Sequence, residues 1–136
     1  VLTADDPYFL FDMDGVRDPD TGMPAAWASG MAGHFPNGFM EVSTSGTGYH
    51  VMGKCDAMVT RDRRRKFAEG KGEFYTEGRF VALGFAPMGS IDIDWTAQIM
   101  QVVPKKETVD MTVEFNVVQR RDEIGAGVPK RVRRSV

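Results

Sequence analysis

The chain is poor in the residues that build most metal and redox centres. Its 136 residues hold one cysteine, Cys55, and two histidines. A lone cysteine excludes an internal disulfide and a cysteine zinc cage, and two histidines leave little for a His-rich metal site. No apolar run approaches the ~18 residues of a transmembrane helix, and no signal-peptide core opens the sequence. The cell interior is therefore the expected compartment, without a membrane partner. Hard-cation chemistry on carboxylates remains open.

Composition is otherwise that of an ordinary globular domain, 42% hydrophobic and 26% charged. The net charge is only -2, but it is segregated. Val1–Asp20 carries six acids against a single base, Arg17. Lys54–Gly72 carries seven bases against three acids, and Gln119–Val136 six against two. An acidic cluster beside basic segments suits a cation held against a polyanion. Each run taken alone is more often a solvated face or a tail.

A short apolar run with aromatic residues predicts a buried strand over Tyr8–Met13, turn-forming Gly, Pro and Asp predict a loop over Gly15–Gly22, and Pro24 at a first turn suggests a helix to His34. Gly38–Ser43 and Tyr49–Met52 read as strands joined by a glycine-containing turn, hence a hairpin. Arg61–Glu69 reads as a charged helix. Glu73–Thr76 and Arg79–Leu83 read as a second hairpin turning at Glu77-Gly78. Ile91, Trp95, Ile99 and Val102 or Val103 follow helical spacing, so Ile91–Val103 is expected to be a helix that Pro104 ends. Val109, Met111, Val113, Phe115 and Val117 alternate as a strand. The expected class is α+β, a mostly antiparallel sheet with flanking helices. Residues 1–118 would form one domain and 119–136 a flexible basic tail bearing Lys130, Arg131, Arg133 and Arg134.

Three stretches carry chemistry. Asp12 and Asp14 sit two apart at the end of the first strand, on one side and about 6–7 Å apart at Cα. Two carboxylates so placed repel unless a cation such as Mg²⁺ or Mn²⁺ lies between them. Ser43-Thr44-Ser45-Gly46-Thr47-Gly48-Tyr49-His50 combines small residues, hydroxyls and an imidazole, which suits phosphate oxygens. Taken alone it is more often a plain hairpin turn with a satisfied histidine, and it is not a Walker loop, since no Gly-Lys-Ser/Thr follows. Glu73, on the strand Glu73-Phe74-Tyr75, offers a third carboxylate, or only a surface charge.

Phe11-Asp12-Met13-Asp14-Gly15-Val16 resembles the nucleophile motif of haloacid-dehalogenase-type phosphatases. In that reading Asp12 attacks a phosphate and Asp14 acts as general acid. The second acidic motif such enzymes need has its nearest candidate in Ile91-Asp92-Ile93-Asp94, which lacks the glycine context.

Taken in order, the three stretches resemble the bifunctional primase–polymerase branch of the archaeo-eukaryotic primase superfamily. Its first motif is an apolar strand ending in Asp-x-Asp, often followed by Arg-Asp-Pro-x-Thr-Gly. Here Asp12 and Asp14 precede Arg17-Asp18-Pro19-Asp20-Thr21-Gly22. The second, Glu-Val-Ser-Pro-Ser-Gly-x-Gly-x-His, matches Glu41 to His50, with Thr44 in the proline position. The third matches Glu73-Phe74-Tyr75 and Gly78-Arg79-Phe80. The likeness runs from about Tyr8 to Gly84.

The resemblance implies an RRM-like catalytic core and template-directed nucleotidyl transfer by a two-metal mechanism, in phage, plasmid or mobile-element replication. Asp12, Asp14 and Glu73 would hold Mg²⁺ or Mn²⁺. His50, with Ser43, Ser45, Gly46 and Gly48, would meet a nucleoside triphosphate, and Arg79 would add a phosphate contact. Arg61, Arg63, Arg64, Arg65 and Lys66 are the expected contacts to a single-stranded DNA template. A replicative helicase is an expected partner, and the cytoplasm of a bacterial host or virus-infected cell the expected setting. Family members carry a further α/β region before the first acidic strand, so a catalytic fragment is expected. A non-catalytic nucleic-acid-binding accessory module on the same fold is the alternative.

Overall fold

A computed structural model describes residues 1–106. The expected strand over 109–117 and the basic tail over 119–136 lie outside the described residues. The described chain runs β1 (Tyr8–Met13), α1 (Ala26–Ala32), β2 (Phe39–Val42), β3 (Tyr49–Lys54), β4 (Lys66–Phe67), a 3₁₀ turn (Ala68–Gly70), β5 (Gly72–Tyr75), β6 (Phe85–Met88) and α2 (Thr96–Val102). The six strands form one sheet in the order β4-β5-β1-β3-β2-β6, with every pair of neighbours antiparallel. The α+β class read from the sequence describes this architecture. Among the described residues no helix is long and apolar enough to cross a membrane.

β1 is central because both its neighbours can bury it. Its odd residues, Phe9, Phe11 and Met13, face a core with Phe35, Val51, Phe67, Phe74, Trp95 and Ile99. Trp27, Ala28 and Met31 of α1 and Ile99 and Val102 of α2 close that face. Phe35 anchors an aromatic chain, edge-on to Phe11 at 5.9 Å and to Trp95 at 5.3 Å between ring centroids. The even residues point to the opposite face, where Leu10 and Met52 form a smaller apolar cluster with Leu2, Tyr8, Phe39, Tyr75 and Val81.

Three sequence expectations are corrected, each by tertiary pairing that overrides local preference. Arg61–Glu69 is not a helix. Asp56 Oδ1 accepts the amides of Met58 and Val59, and Arg64 N–H donates to the Pro104 carbonyl. Ala68 and Glu69 then take positive φ, which breaks any helical course. Arg79–Leu83 is not the partner strand of β5, because both edges of β5 are already taken, by β1 and β4. Residues 78–79 pair with Leu2 instead, and the chain crosses to the far edge as β6. The last helix begins at Thr96 rather than Ile91. Ile93 and Trp95 bond in extended form to Lys54, while Asp94 Oδ1 accepts the Thr96 amide at 2.9 Å and hydroxyl at 2.7 Å.

Candidate functional site

The antiparallel register sets a row of charged and polar residues across five strands. Lys66 stands opposite Glu73, Glu73 opposite Asp12, Asp12 opposite His50, and His50 opposite Glu41. Beside it runs an apolar row, Tyr75, Leu10, Met52 and Phe39. Both lie on the face away from the helices. Neighbouring strands are about 4.8 Å apart, so adjacent members of the row are in reach of one another. Asp14 follows the end of β1, its amide bonded to the Lys71 carbonyl.

The structure brings Asp12, Asp14 and Glu73 together: each offers a carboxylate oxygen, and these lie within 4.8 Å of one another. Asp12 is 5% exposed, Glu73 partly buried and Asp14 exposed. Burial, reinforced by the Asp14 carboxylate, pushes the Asp12 carboxyl up to about 6, with Glu73 adding to the rise and His50 and Arg79 opposing it. Asp12 Oδ1 is buried without a hydrogen-bond partner. His50 Nε2 is 3.8 Å from it, beyond hydrogen-bond reach. A buried carboxylate with one unpartnered oxygen, within reach of two further carboxylates, is a donor set that fits a hard divalent cation.

Arg79 reaches this cluster from the crossing segment. Its Nη2 lies 3.5 Å from Asp12 Oδ2 and 3.6 Å from Glu73 Oε1, and its guanidinium stacks on the Tyr75 ring with Cζ 4.7 Å from the centroid. The Tyr75 hydroxyl donates to Glu73 Oε1 at 2.9 Å. Arg79 thus pairs with two of the carboxylates.

His50 is held by Glu41, a residue inside the second motif to which sequence reasoning assigned no role. Glu41 is buried, and its Oε2 accepts from His50 Nδ1 at 2.8 Å and from the Gly84 amide at 2.9 Å. An oxygen already accepting the Gly84 amide is an acceptor for His50 too, so Nδ1 carries the proton and Nε2 turns toward Asp12. The available signal was an acid at a position of β2 flanked by Met40 and Val42. Gly84 approaches so closely that a Cβ there would run into the Val42 carbonyl oxygen. Residues 79–84 thus cross the row from Glu73 to Glu41, with Val81 packed on the apolar row.

The β2–β3 turn is tied down from within. Ser43 Oγ accepts the Gly48 amide at 3.1 Å and contacts Ser45 Oγ at 3.0 Å; Ser45 Oγ contacts Thr47 Oγ1 at 2.8 Å. Arg17 fastens the turn to the Arg17–Gly22 loop by donating to the Gly46 carbonyl at 2.8 Å. A Cβ at Gly48 would meet the Met13 carbonyl oxygen, so only glycine lets the turn lie against the end of β1. Ser43 is buried and Ser45 exposed.

The basic run divides. Arg61, Arg64, Arg65 and Lys66 are exposed. Arg63 is held by Asp62 at 3.0 Å and by the carbonyls of Met100 and Val103 at the end of α2, so it serves the fold. Arg61, Arg63, Arg65, Tyr75, Glu77 and Lys106 line a groove of about 260 Å³, to which Arg63 turns while its guanidinium is tied to Asp62 and α2. Tyr75 joins this groove to the carboxylate cluster. Asp94, by contrast, is occupied as a cap for Thr96, and Lys54 beside it pairs with Tyr8 at the opposite end of β1 from Asp12. Asp94, the nearest candidate for the phosphatase reading's second acidic motif, therefore lies away from Asp12.

No protein-family model matches the chain. The DNA primase-polymerase of Nitratiruptor phage NrS-1 is 31% identical over 86 residues, 61% of this chain. The chain spans only 12% of that protein's length. The match supports a relationship to a primase-polymerase.

Proposed function

We propose that the polar row is the catalytic centre of template-directed nucleotidyl transfer, acting with Mg²⁺ or Mn²⁺. One observation carries the reading: three carboxylates within 4.8 Å of one another, one of them buried with an unpartnered oxygen, in the same register row as His50. The similarity to a phage primase-polymerase supports it. Asp12, Asp14 and Glu73 would hold the divalent ions, which supply charge stabilisation for the transferring phosphoryl group. His50 presents Nε2 to the triphosphate of the incoming nucleotide, and Glu41 keeps the ring in that orientation. Ser45 and the backbone around Gly46 and Gly48 flank the triphosphate. The groove of Arg61, Arg65 and Tyr75 is the path for a single-stranded DNA template, with Arg64 and Lys66 adding charge at its margin. Replication of a phage or other mobile element, alongside a helicase, is the setting this activity suits.

The test is incorporation of labelled nucleotides on a single-stranded template, with Mg²⁺ and separately with Mn²⁺, by the wild-type chain and by Asp14→Ala. Template-dependent, metal-dependent products from the wild type alone are expected. Binding of template without any incorporation under either metal would move the reading to the non-catalytic accessory module.

A further inference from the structure

Arg79 is the cation that bridges Asp12 and Glu73, with Lys66 Nζ a further 4.0 Å contact to Glu73 Oε2, and it holds them poorly. Its Nη2 distances of 3.5 and 3.6 Å to Asp12 and Glu73 exceed the 2.7–2.9 Å of a well-made charge-assisted bond. Its Nε is buried without a partner, as is Asp12 Oδ1 beside it. A donor on Arg79 and an acceptor on Asp12 are thus both left without a partner, although the two side chains meet through Nη2 and Oδ2. The backbone around Arg79 is fixed independently: its carbonyl accepts from Leu2 at 2.9 Å, and Gly84 is held by Glu41. The guanidinium can therefore move while the crossing segment stays.

We propose that Arg79 is a positioning residue that couples the metal and nucleotide sites: it neutralises Asp12 and Glu73 before a divalent ion binds, then turns to the triphosphate once they are taken. This rests on the nucleotidyl-transfer reading above. The carboxylates cannot serve a guanidinium and a divalent ion together, since the two cations repel at such range. Released from them, Arg79 keeps its stack on Tyr75 and gains a bidentate partner in a phosphate, for which its planar fork is suited. Binding of metal then strengthens binding of nucleotide, and the reverse, by the same factor.

The experiment measures Mn²⁺ affinity by loss of the free-ion paramagnetic resonance signal, with neither nucleotide nor DNA present, for wild type, Arg79→Ala and Arg79→Lys. Circular dichroism checks that each is folded. Arg79→Ala is expected to bind Mn²⁺ roughly 10-fold more tightly than wild type, with Arg79→Lys close to wild type. A non-hydrolysable deoxynucleoside triphosphate, titrated at saturating Mn²⁺, is expected to bind Arg79→Ala more weakly than wild type. A purely structural arginine would not give opposite changes in the two affinities. Unchanged or weakened Mn²⁺ binding in Arg79→Ala overturns the role given to Arg79 while leaving the metal centre standing. Failure of all three proteins to bind Mn²⁺ at millimolar concentration overturns the metal centre, and this proposal with it.

Discussion

On β1, Phe9, Phe11 and Met13 point into the core beneath the helices, while Leu10 and Asp12 point to the face crossed by Arg79–Gly84. The same alternation continues on β3, where Val51 is core and His50 is site, and on β5, where Phe74 is core and Glu73 is site. One set of backbone hydrogen bonds thus supports two opposite chemistries. The core face is rewarded for burial. The opposite face buries a carboxyl whose proton affinity has risen, which costs stability. A single step along the strand therefore separates a side chain that stabilises the fold from one that the proposed function would use.

The largest expected effect is on activity. Asp12→Ala or Asp14→Ala should lower nucleotide incorporation by on the order of 10²–10³-fold or more, with the melting temperature unchanged or raised. A large loss of thermal stability would show that these acids belong to the structure after all.

Phe11→Ala, one residue away on the other face, should do the reverse. Deleting a fully buried ring should cost about 3–5 kcal/mol, read by urea unfolding, and activity should fall only with the folded fraction. Equal stability losses at positions 11 and 12 would erase the distinction between the faces.

On the nucleotide side, His50→Ala and Glu41→Gln should both raise KM for nucleotide, by roughly 10–100-fold for His50→Ala and less for Glu41→Gln. Template affinity should hardly change. Equal losses of nucleotide and template binding would indicate that Glu41 and His50 support the sheet rather than the triphosphate.

A pH series sharpens the cost of the site face. A carboxyl raised from 3.8 to about 6 on folding leaves the folded state binding more protons between those values. Stability of the metal-free protein should fall as pH rises from about 4 to 6 on this account, then level off. Asp12→Asn should therefore stabilise by on the order of 1–3 kcal/mol at pH 7, and by nothing near pH 3.5. A constant difference across the range would refute the assigned origin.

The smallest effect separates the arginines of one run. Removing Arg61 or Arg65 should reduce the salt slope of single-stranded DNA affinity by roughly 0.7 for each phosphate no longer neutralised. Arg63→Ala should leave that slope unchanged and lower stability instead.

How far this was legible in the sequence follows from which forces are local. The short apolar, aromatic run of Tyr8–Met13 and the turn residues Ser45–Gly48 located β1, β2 and β3, because strand composition and turn chemistry act over a few residues. The acids and His50 stood out as polar residues at such strand ends. The row itself was not legible, since register depends on which strands become neighbours, and β5 pairs with β1 across an intervening β-hairpin. Glu41 drew no role from its own motif for that reason. Arg79–Gly84 reads as a strand because the apolar residues Phe80, Val81 and Leu83 favour one locally. Only the occupied edges of β5 decide otherwise. Arg63 looks like its basic neighbours because its partners, the carbonyls ending α2, are 37 and 40 residues away.

The most direct test of the central claim is an anomalous difference map from crystals grown with Mn²⁺ and a non-hydrolysable nucleoside triphosphate. The account predicts two peaks about 3.5–4 Å apart, ligated by Asp12, Asp14 and Glu73, with His50 Nε2 facing the triphosphate and Arg79 withdrawn from the carboxylates. Manganese bound only elsewhere, with Asp12 and Glu73 still paired to Arg79, would contradict it.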